Sequence, residues 1–329
     1  MSKTAPLPRR SEAKAGLLEL VEQFLEYLEV EKNCSPLTIR NYRHYLTRFL
    51  NHLSPASPAG GPNPLTLTPG DVDLETVRKY RLFLARFSDD KGKTLSRQTQ
   101  SYHVIALRAF LRWLIKNDYE TLSPEKIDLP KTESRSLKFL DASQLERLLN
   151  QPEISNIRGK RDKAILETLF STGLRVSELV KLDRSKVDLN RREFGVIGKG
   201  GRARVVFLSE KAAEWIKRYL DERDDNFEPL FIRHGGKIDP TTPAEKMRLT
   251  TRSVQRIVEK YVRKAKLPVK ITPHGLRHSF ATDLLMAGAD IRSVQEMLGH
   301  KNISTTQIYT HVTNKQLREI HETFHGRGK

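Results

Sequence analysis

The sequence predicts a mainly α-helical protein of two domains: an amino-terminal helical bundle, and a mostly helical carboxy-terminal domain with one small antiparallel β-sheet. Apolar residues recur every three or four positions along most of the 329 residues, as in amphipathic helices. A chain of this length is long enough to form two hydrophobic cores. One stretch joins two short β-branched and aromatic runs through a glycine-rich turn, which predicts a hairpin.

The domain boundary is predicted near Glu133. Residues 121–136 contain two prolines and little apolar content, which is typical of a linker. Residues 15–133 form the first domain and residues 134–329 the second. Residues 1–14 mix Pro, Ser, Lys and Arg without periodicity, so they are predicted to be a disordered basic arm.

Four helices are predicted in the first domain. The second has the clearest start, because Ser35 suits an N-cap and Pro36 suits the first helical position. The proline- and glycine-rich residues 54–64 interrupt the pattern and are predicted to be a loop. The fourth helix, over about 96–117, has these core candidates: Val104, Ile105, Leu107, Phe110, Leu111, Leu114 and Ile115. The four helices are expected from Leu17, from Ser35, at about 74–87 and at about 96–117.

The second domain alternates helical patterns with a single hairpin. Its strands are predicted over 194–197 and 204–208, with Lys199 at the glycine-flanked tip, where the backbone can approach a ligand closely. A terminal helix at about 313–324 has an apolar stripe that could close its own core or dock into a neighbouring subunit. The other helices are predicted over 142–149, 160–171, 176–182, 211–220, 251–266, 274–286 and 291–298.

The charge balance indicates a polyanionic partner. The chain has 58 Lys and Arg against 40 Asp and Glu, a formal net charge of +18. Nucleic acid is favoured over an anionic membrane surface, since no apolar run approaches the roughly 18 residues of a membrane span. The single Cys34 excludes intrachain disulfides and fits a reducing cytoplasm.

Six side chains in the second domain suit chemistry on a phosphodiester. Guanidinium, ammonium and imidazole groups bind and protonate phosphate oxygens, and a tyrosine downstream is a candidate nucleophile. His274 and Arg277 lie one turn apart after Pro273, at the electropositive start of a predicted helix. The six residues are Arg175, Lys199, His274, Arg277, His300 and Tyr309.

Two arginines could grip both non-bridging oxygens of one phosphate, because the guanidinium fork is planar. Glu178 lies one turn after Arg175 and could orient it by a hydrogen bond, the alternative being a plain surface ion pair. Spacing alone leaves open whether Lys199 is a general acid or a phosphate contact.

No metal or other cofactor is predicted. His274 and His278 have the helical spacing of a zinc pair, but Arg277 between them would repel the cation. Outside the catalytic set, basic helix faces and the hairpin tip provide candidate DNA contacts, with an ordinary solvated face as the alternative. These candidates are Arg40, Arg43, Arg48, Arg97, Arg108 and Arg202.

The sequence around the six residues resembles the tyrosine recombinase (phage integrase) family, and within it the Xer-like chromosomal recombinases. The resemblance is specific from about residue 140 to 318 and looser over 15–133. Five contexts carry it, in the family's order: Ser171-Thr172-Gly173-Leu174-Arg175, Gly198-Lys199-Gly200-Gly201, Pro273-His274-Gly275-Leu276-Arg277-His278, Leu298-Gly299-His300 and Ile308-Tyr309-Thr310-His311.

The resemblance implies a SAM-like core-binding domain followed by a catalytic domain. It implies that Tyr309 forms a 3′-phosphotyrosine, that Lys199 is the general acid, and that His300 completes the catalytic set. It further implies a metal- and ATP-independent strand exchange through a Holliday junction. The implied substrate is double-stranded DNA with two inverted half-sites.

The implied assembly is a homo-tetramer, or a hetero-tetramer with a paralogue, on two duplexes, with the terminal helix packed in trans. The implied role is resolution of chromosome dimers at a dif-like site in the nucleoid, with a cell-division DNA translocase as activator. Three alternatives stay open: an integrase of a mobile element, a type IB topoisomerase, and a non-catalytic architectural DNA-binding protein.

Two features depart from the family pattern. Residues 201–207, after the hairpin lysine, lack the polar residue and proline that the family often has there. The loop at 54–64 is longer than expected of a minimal Xer-like domain.

Overall fold

The computed structural model describes residues 16–54, 67–129, 139–198, 201, 203–235 and 243–299. The chain divides into two compact units, Met1–Ser134 and Arg135–Lys329. The predicted basic arm over 1–14, the boundary near Glu133 and the terminal helix at about 313–324 lie outside the described residues, as do residues 55–64 of the predicted loop. Within the described ranges no helix is long and apolar enough to cross a membrane.

The first unit is helical, as predicted. Serine or aspartate N-caps start three of its helices: the Ser35 hydroxyl accepts from the Thr38 backbone N–H, and Asp73 and Ser96 act in the same way on later helices. The predicted start at Ser35-Pro36 is therefore confirmed. The helices are α1 Leu17–Val30, α2 Pro36–Leu53, α3 Leu74–Arg86 and α4 Arg97–Lys116.

The core of the first unit is formed by all four helices and is rich in aromatic side chains. Phe24 of α1 lies 5.5 Å, centroid to centroid, from Phe110 of α4 and 5.8 Å from Trp113. The prediction that Ile105 and Ile115 belong to this core is wrong, because their side chains are exposed. Each follows a buried residue of α4 by one position, and one step turns a helix by about 100° toward solvent.

The second unit is built around a central helix that is buried on nearly every side. Most residues of this helix, α6, are buried from Gly159 to Thr172, and α8 and α11 pack against it. The helices are α5 Ala142–Leu149, α6 Ile157–Thr172, α7 Val176–Leu179, α8 Glu210–Asp221, α9 Ala244–Met247, α10 Thr251–Lys264, α11 Pro273–Met286 and α12 Ile291–Leu298.

The predicted hairpin is confirmed: β1 Glu193–Ile197 pairs antiparallel with β2 Ala203–Phe207, with Val196 opposite Arg204. The mainly helical fold with one small antiparallel sheet is confirmed with it. Helix α7 is shorter than the predicted 176–182. The chain bends after α7, so that the Leu182 carbonyl accepts from the backbone N–H of Leu230 and not from a helical neighbour.

Candidate active site

Arg277 is the fifth residue of α11 and is the largest fully buried side chain among the described residues, at 2% exposure. Its Nη1 donates to the Gly173 carbonyl at 2.6 Å and its Nη2 to the Leu298 carbonyl at 2.5 Å. Gly173 is the C-cap of α6 and Leu298 is the last residue of α12. The guanidinium therefore joins the electronegative ends of two helices, which stabilises its buried charge.

The end of α6 depends on a glycine. Gly173 has φ +58°, and a Cβ built there would lie 2.4 Å from Cδ1 of Phe280. We expect Gly173→Ala to lower the free energy of unfolding by about 2 to 3 kcal/mol, because left-handed strain and overpacking add. Chemical denaturation should show this loss.

Gly288→Ala is the matched control. Gly288 has φ +96°, and a Cβ built there would have nothing within 4 Å, so only strain applies, at about 1 to 2 kcal/mol. Equal losses in the two variants would contradict the predicted clash with Phe280.

Arg175 is held by a carboxylate one helical turn away. Its Nη1 donates to Oε1 of Glu178 at 2.9 Å, and its backbone N–H donates to Oε2 at 2.9 Å. The predicted hydrogen bond between these residues is present. It is not a plain surface ion pair, because the Glu178 side chain is only 5% exposed while the Arg175 side chain is 30% exposed.

Glu178 also accepts two hydrogen bonds from Arg204 of β2, at 3.1 Å from Nη1 and 2.9 Å from Nη2. Burial acts to raise the pKa of this carboxyl, but the hydrogen bonds and charges of Arg204 and Arg175 outweigh it and lower the pKa to about 2. Glu178 is therefore ionised at neutral pH. Sequence reasoning missed Arg204; strand alternation places it on the same side as buried Val206, which is the signal that could have identified it.

Both arginines of the predicted phosphate clamp reach the end of α12. Arg175 Nη2 lies 3.3 Å from the Gly299 carbonyl, and Arg277 binds the carbonyl directly before it. Gly299 is the left-handed C-cap of α12, which confirms the predicted helix end at Leu298-Gly299. Consecutive carbonyls thus hold the two guanidiniums close together.

His274 is the second residue of α11, after the Thr272 cap and Pro273, and it is exposed. Its ring centroid lies 4.2 Å from that of His278 in an edge-to-face arrangement. Loss of solvent around the His274 ring lowers its pKa, and the charges of Arg277 and Arg175 lower it further. Burial is the main cause that lowers the pKa of His278 to about 4, and electrostatic interaction with His274 and Arg277 adds to it. Both imidazoles are therefore neutral at pH 7.

The structure brings together four predicted site residues: Arg175, Glu178, His274 and Arg277. The other predicted residues of this region, Lys199, Arg202, His300 and Tyr309, lie outside the described residues. No group of three or more His, Cys, Asp or Glu side chains suited to a metal occurs within the described part of the chain. Two guanidiniums beside a neutral imidazole suit a phosphate.

The predicted DNA contacts of the first unit differ in their surroundings. Arg40, Arg43 and Arg97 are exposed, whereas Arg48 and Arg108 are partly buried. Arg43 forms an ion pair with Glu22, and the Arg48 guanidinium lies 4.5 Å from the centroid of the Phe87 ring. Their role in binding DNA stays a prediction.

Comparisons with known proteins cover both units. Residues 138–316 match the phage integrase family, and residues 21–118 match the phage integrase N-terminal SAM-like domain. A tyrosine recombinase XerC of Pelotomaculum thermopropionicum is 36% identical, covering 94% of this chain and 98% of the relative. A tyrosine recombinase XerD of Pasteurella multocida is 34% identical, covering 94% and 98%.

Among solved structures, the XerH site-specific recombinase bound to a palindromic difH substrate matches with a TM-score of 0.67. The identity is 23%, and the match covers 95% of this chain and 98% of that one, which supports the fold. The resemblance predicted from the five sequence contexts is thus confirmed. The chain belongs to the phage integrase family and is a Xer-like tyrosine recombinase, an enzyme of site-specific DNA recombination.

Proposed function

We propose that this chain cleaves and rejoins double-stranded DNA through a 3′-phosphotyrosine at Tyr309 and a Holliday junction. The observation that carries the proposal is the shared anchoring of Arg175 and Arg277 on the carbonyls of Gly299 and Leu298. Two guanidiniums fixed side by side, with His274 on the same helix as Arg277, form a clamp for one phosphate. Preorganised donors of this kind stabilise the charge that develops in phosphoryl transfer.

In the first step, the Tyr309 oxygen attacks the scissile phosphorus and the bond from phosphorus to the 5′-oxygen breaks. Neutral His274 accepts the phenol proton, and Lys199 donates a proton to the leaving 5′-oxygen. In the second step, Lys199 takes the proton of the partner strand's 5′-hydroxyl as its oxygen attacks the phosphotyrosine. The bond from phosphorus to the Tyr309 oxygen breaks, and His274 returns a proton to that oxygen. The energy of the phosphodiester bond is retained in the covalent intermediate, so the proposed strand exchange requires neither ATP nor a metal.

The proposed assembly is a tetramer on two duplexes, each with two inverted half-sites. It is supported by a cleft of about 1280 Å³ in the second unit, lined by apolar side chains of α5, α8, α11 and β2. These include Leu145, Trp215, Phe280 and Leu284. The apolar stripe Leu317, Ile320 and Phe324 of a neighbouring subunit is the proposed occupant.

Resolution of chromosome dimers at a dif-like site is the biological role we propose, in the cytoplasm at the nucleoid. The near full-length similarity to relatives named XerC and XerD favours it over integration of a mobile element. A paralogue in the tetramer and a cell-division DNA translocase as activator belong to the same proposal.

The test uses a duplex that the protein itself selects from a random-sequence pool, nicked near the cleavage position so that the freed 5′ fragment is lost. We expect covalent attachment of protein to the 3′ end and, with two intact sites on one plasmid, recombinant products. Relaxation of supercoils by monomers without strand exchange would favour the topoisomerase alternative. Binding without any attachment would favour the architectural one.

If attachment occurs but the protein alone yields no recombinants, the chemistry stands and the assembly lacks a component, either the paralogue of a hetero-tetramer or the translocase that activates a homo-tetramer. Adding the paralogue or the translocase from the same organism should then restore exchange. This comparison separates the chemistry from the assembly.

The lowered pKa of His274 predicts the acid limb of the cleavage profile. The proton acceptor must be neutral, and its folded pKa lies below the ordinary 6.5. The midpoint of the acid decrease in single-turnover cleavage should therefore lie below pH 6.5. His274→Gln should be slower and lack that decrease. Circular dichroism at each pH checks folding, and a rate already halved at pH 6.5 in the unchanged protein would contradict the prediction.

A further inference from the structure

Arg204 has no role in the proposed chemistry, yet it makes three contacts within the candidate active site. It lies on β2, directly opposite Val196 of β1, and five residues after Lys199 in sequence. Its side chain is 11% exposed, so it faces into the protein and not toward solvent. This buried arginine lies on the hairpin that carries the proposed general acid.

The first contact is with Glu178. Two guanidinium nitrogens of Arg204 donate to the two carboxylate oxygens, at 3.1 and 2.9 Å, in the parallel bidentate geometry that arginine favours. The same carboxylate accepts from Arg175. Arg204 therefore fixes the plane of the group that orients Arg175.

The second and third contacts are with the end of α12. Arg204 Nε donates to the Met297 carbonyl at 3.0 Å. A Cβ built on Gly299 would lie 3.1 Å from Cδ of Arg204, so the arginine stem packs directly on the backbone of this glycine. Gly299 immediately precedes His300 in the sequence. The side chain of Arg204 thus connects the hairpin to two parts of the candidate active site, Glu178 and the end of α12.

We propose that Arg204 is a positioning residue that holds the Lys199 hairpin in a fixed position relative to Arg175 and the end of α12. One guanidinium joins β2, Glu178 and the end of α12, so the base of the hairpin has a fixed position relative to the two phosphate-binding arginines. The inference rests on the proposed function, in which Lys199 protonates the leaving 5′-oxygen. It assigns no contact between Arg204 and DNA.

The test compares single-turnover cleavage of two nicked duplexes of the selected sequence. One has the ordinary phosphodiester, and the other has sulfur in place of the bridging 5′-oxygen, which leaves as a thiolate and needs no general acid. We expect Arg204→Ala to cleave the ordinary duplex about 10- to 100-fold more slowly, the usual loss for a residue that orients a catalytic group. The defect should shrink at least about threefold on the sulfur duplex, because the mispositioned Lys199 no longer limits the step.

Arg191→Ala is the matched control. Arg191 lies at the base of the same hairpin, pairs with Glu193 at 2.9 Å and is 74% exposed, so its loss removes the same charge without touching the site. We expect its cleavage rate to stay within about twofold on both duplexes, as for a typical exposed ion pair. DNA binding and melting temperature are measured for each variant.

Four outcomes overturn the inference: unchanged cleavage by Arg204→Ala, lost DNA binding, a defect equal to the fraction unfolded, or an identical defect on the two duplexes. If Arg204→Ala does not fold, Arg204→Lys replaces it, since the ammonium keeps the charge but not the bidentate geometry. Failure of the unchanged protein to attach to either duplex would instead count against the proposed function.

Discussion

Replacement of Tyr309 by phenylalanine is expected to abolish covalent attachment to the 3′ end of nicked DNA while leaving DNA binding intact. Phenylalanine keeps the ring but lacks the oxygen that we propose forms the new bond to phosphorus. Removal of a nucleophile usually costs at least about a thousandfold in rate. Attachment is measured on denaturing gels, and binding is measured by mobility shift on the same duplex.

Tyr261→Phe is the matched control for the tyrosine variant. The Tyr261 hydroxyl donates to Oδ2 of Asp162 at 2.9 Å inside the second unit, away from the phosphate clamp. Burial is the main cause that raises its pKa, which makes its phenolate unavailable at neutral pH. This variant should attach to DNA at the normal rate. Retained attachment by Tyr309→Phe would move the nucleophile to another residue.

Replacement of Arg277 by lysine is expected to slow cleavage by about 10²- to 10³-fold at temperatures where the variant stays folded. Lysine keeps the charge, but one ammonium cannot reproduce two fork-shaped hydrogen bonds to the carbonyls of Gly173 and Leu298. One carbonyl then loses its donor, and the charge loses its fixed position at the proposed phosphate site. Single-turnover cleavage and thermal unfolding are measured together.

Arg223→Lys provides the comparison for Arg277→Lys. The Arg223 side chain is fully buried and donates to the carbonyls of Pro229 and Leu230, outside the candidate site. We expect this variant to lose stability for the same reason but to keep its cleavage rate per folded molecule. A rate for Arg277→Lys that falls only with its folded fraction would show that Arg277 has a purely structural role.

Local features of this fold could be predicted from the sequence because their causes are local. The start of α2 follows from Ser35 and Pro36, and the start of α11 from Pro273, since a cap and a fixed φ act within one turn. The hydrogen bond between Arg175 and Glu178 is of the same kind.

Features that depend on tertiary contacts were missed or wrong. Arg277 finds an acceptor 104 residues earlier in the chain, at Gly173, and no local pattern indicates that pairing. The bond from Arg204 to Glu178 spans 26 residues and joins a strand to a short helix. Ile105 was expected in the core because an apolar run overstates the width of the buried stripe.

The carbonyls of Leu298 and Gly299 are adjacent links of one backbone, and each holds a different guanidinium. A shift of that single turn would displace both guanidiniums at once, so one cannot leave the proposed phosphate site while the other stays. Each protomer is therefore expected to be either fully competent or incompetent for cleavage. A contact that moves the chain after residue 299 would switch it between these two states.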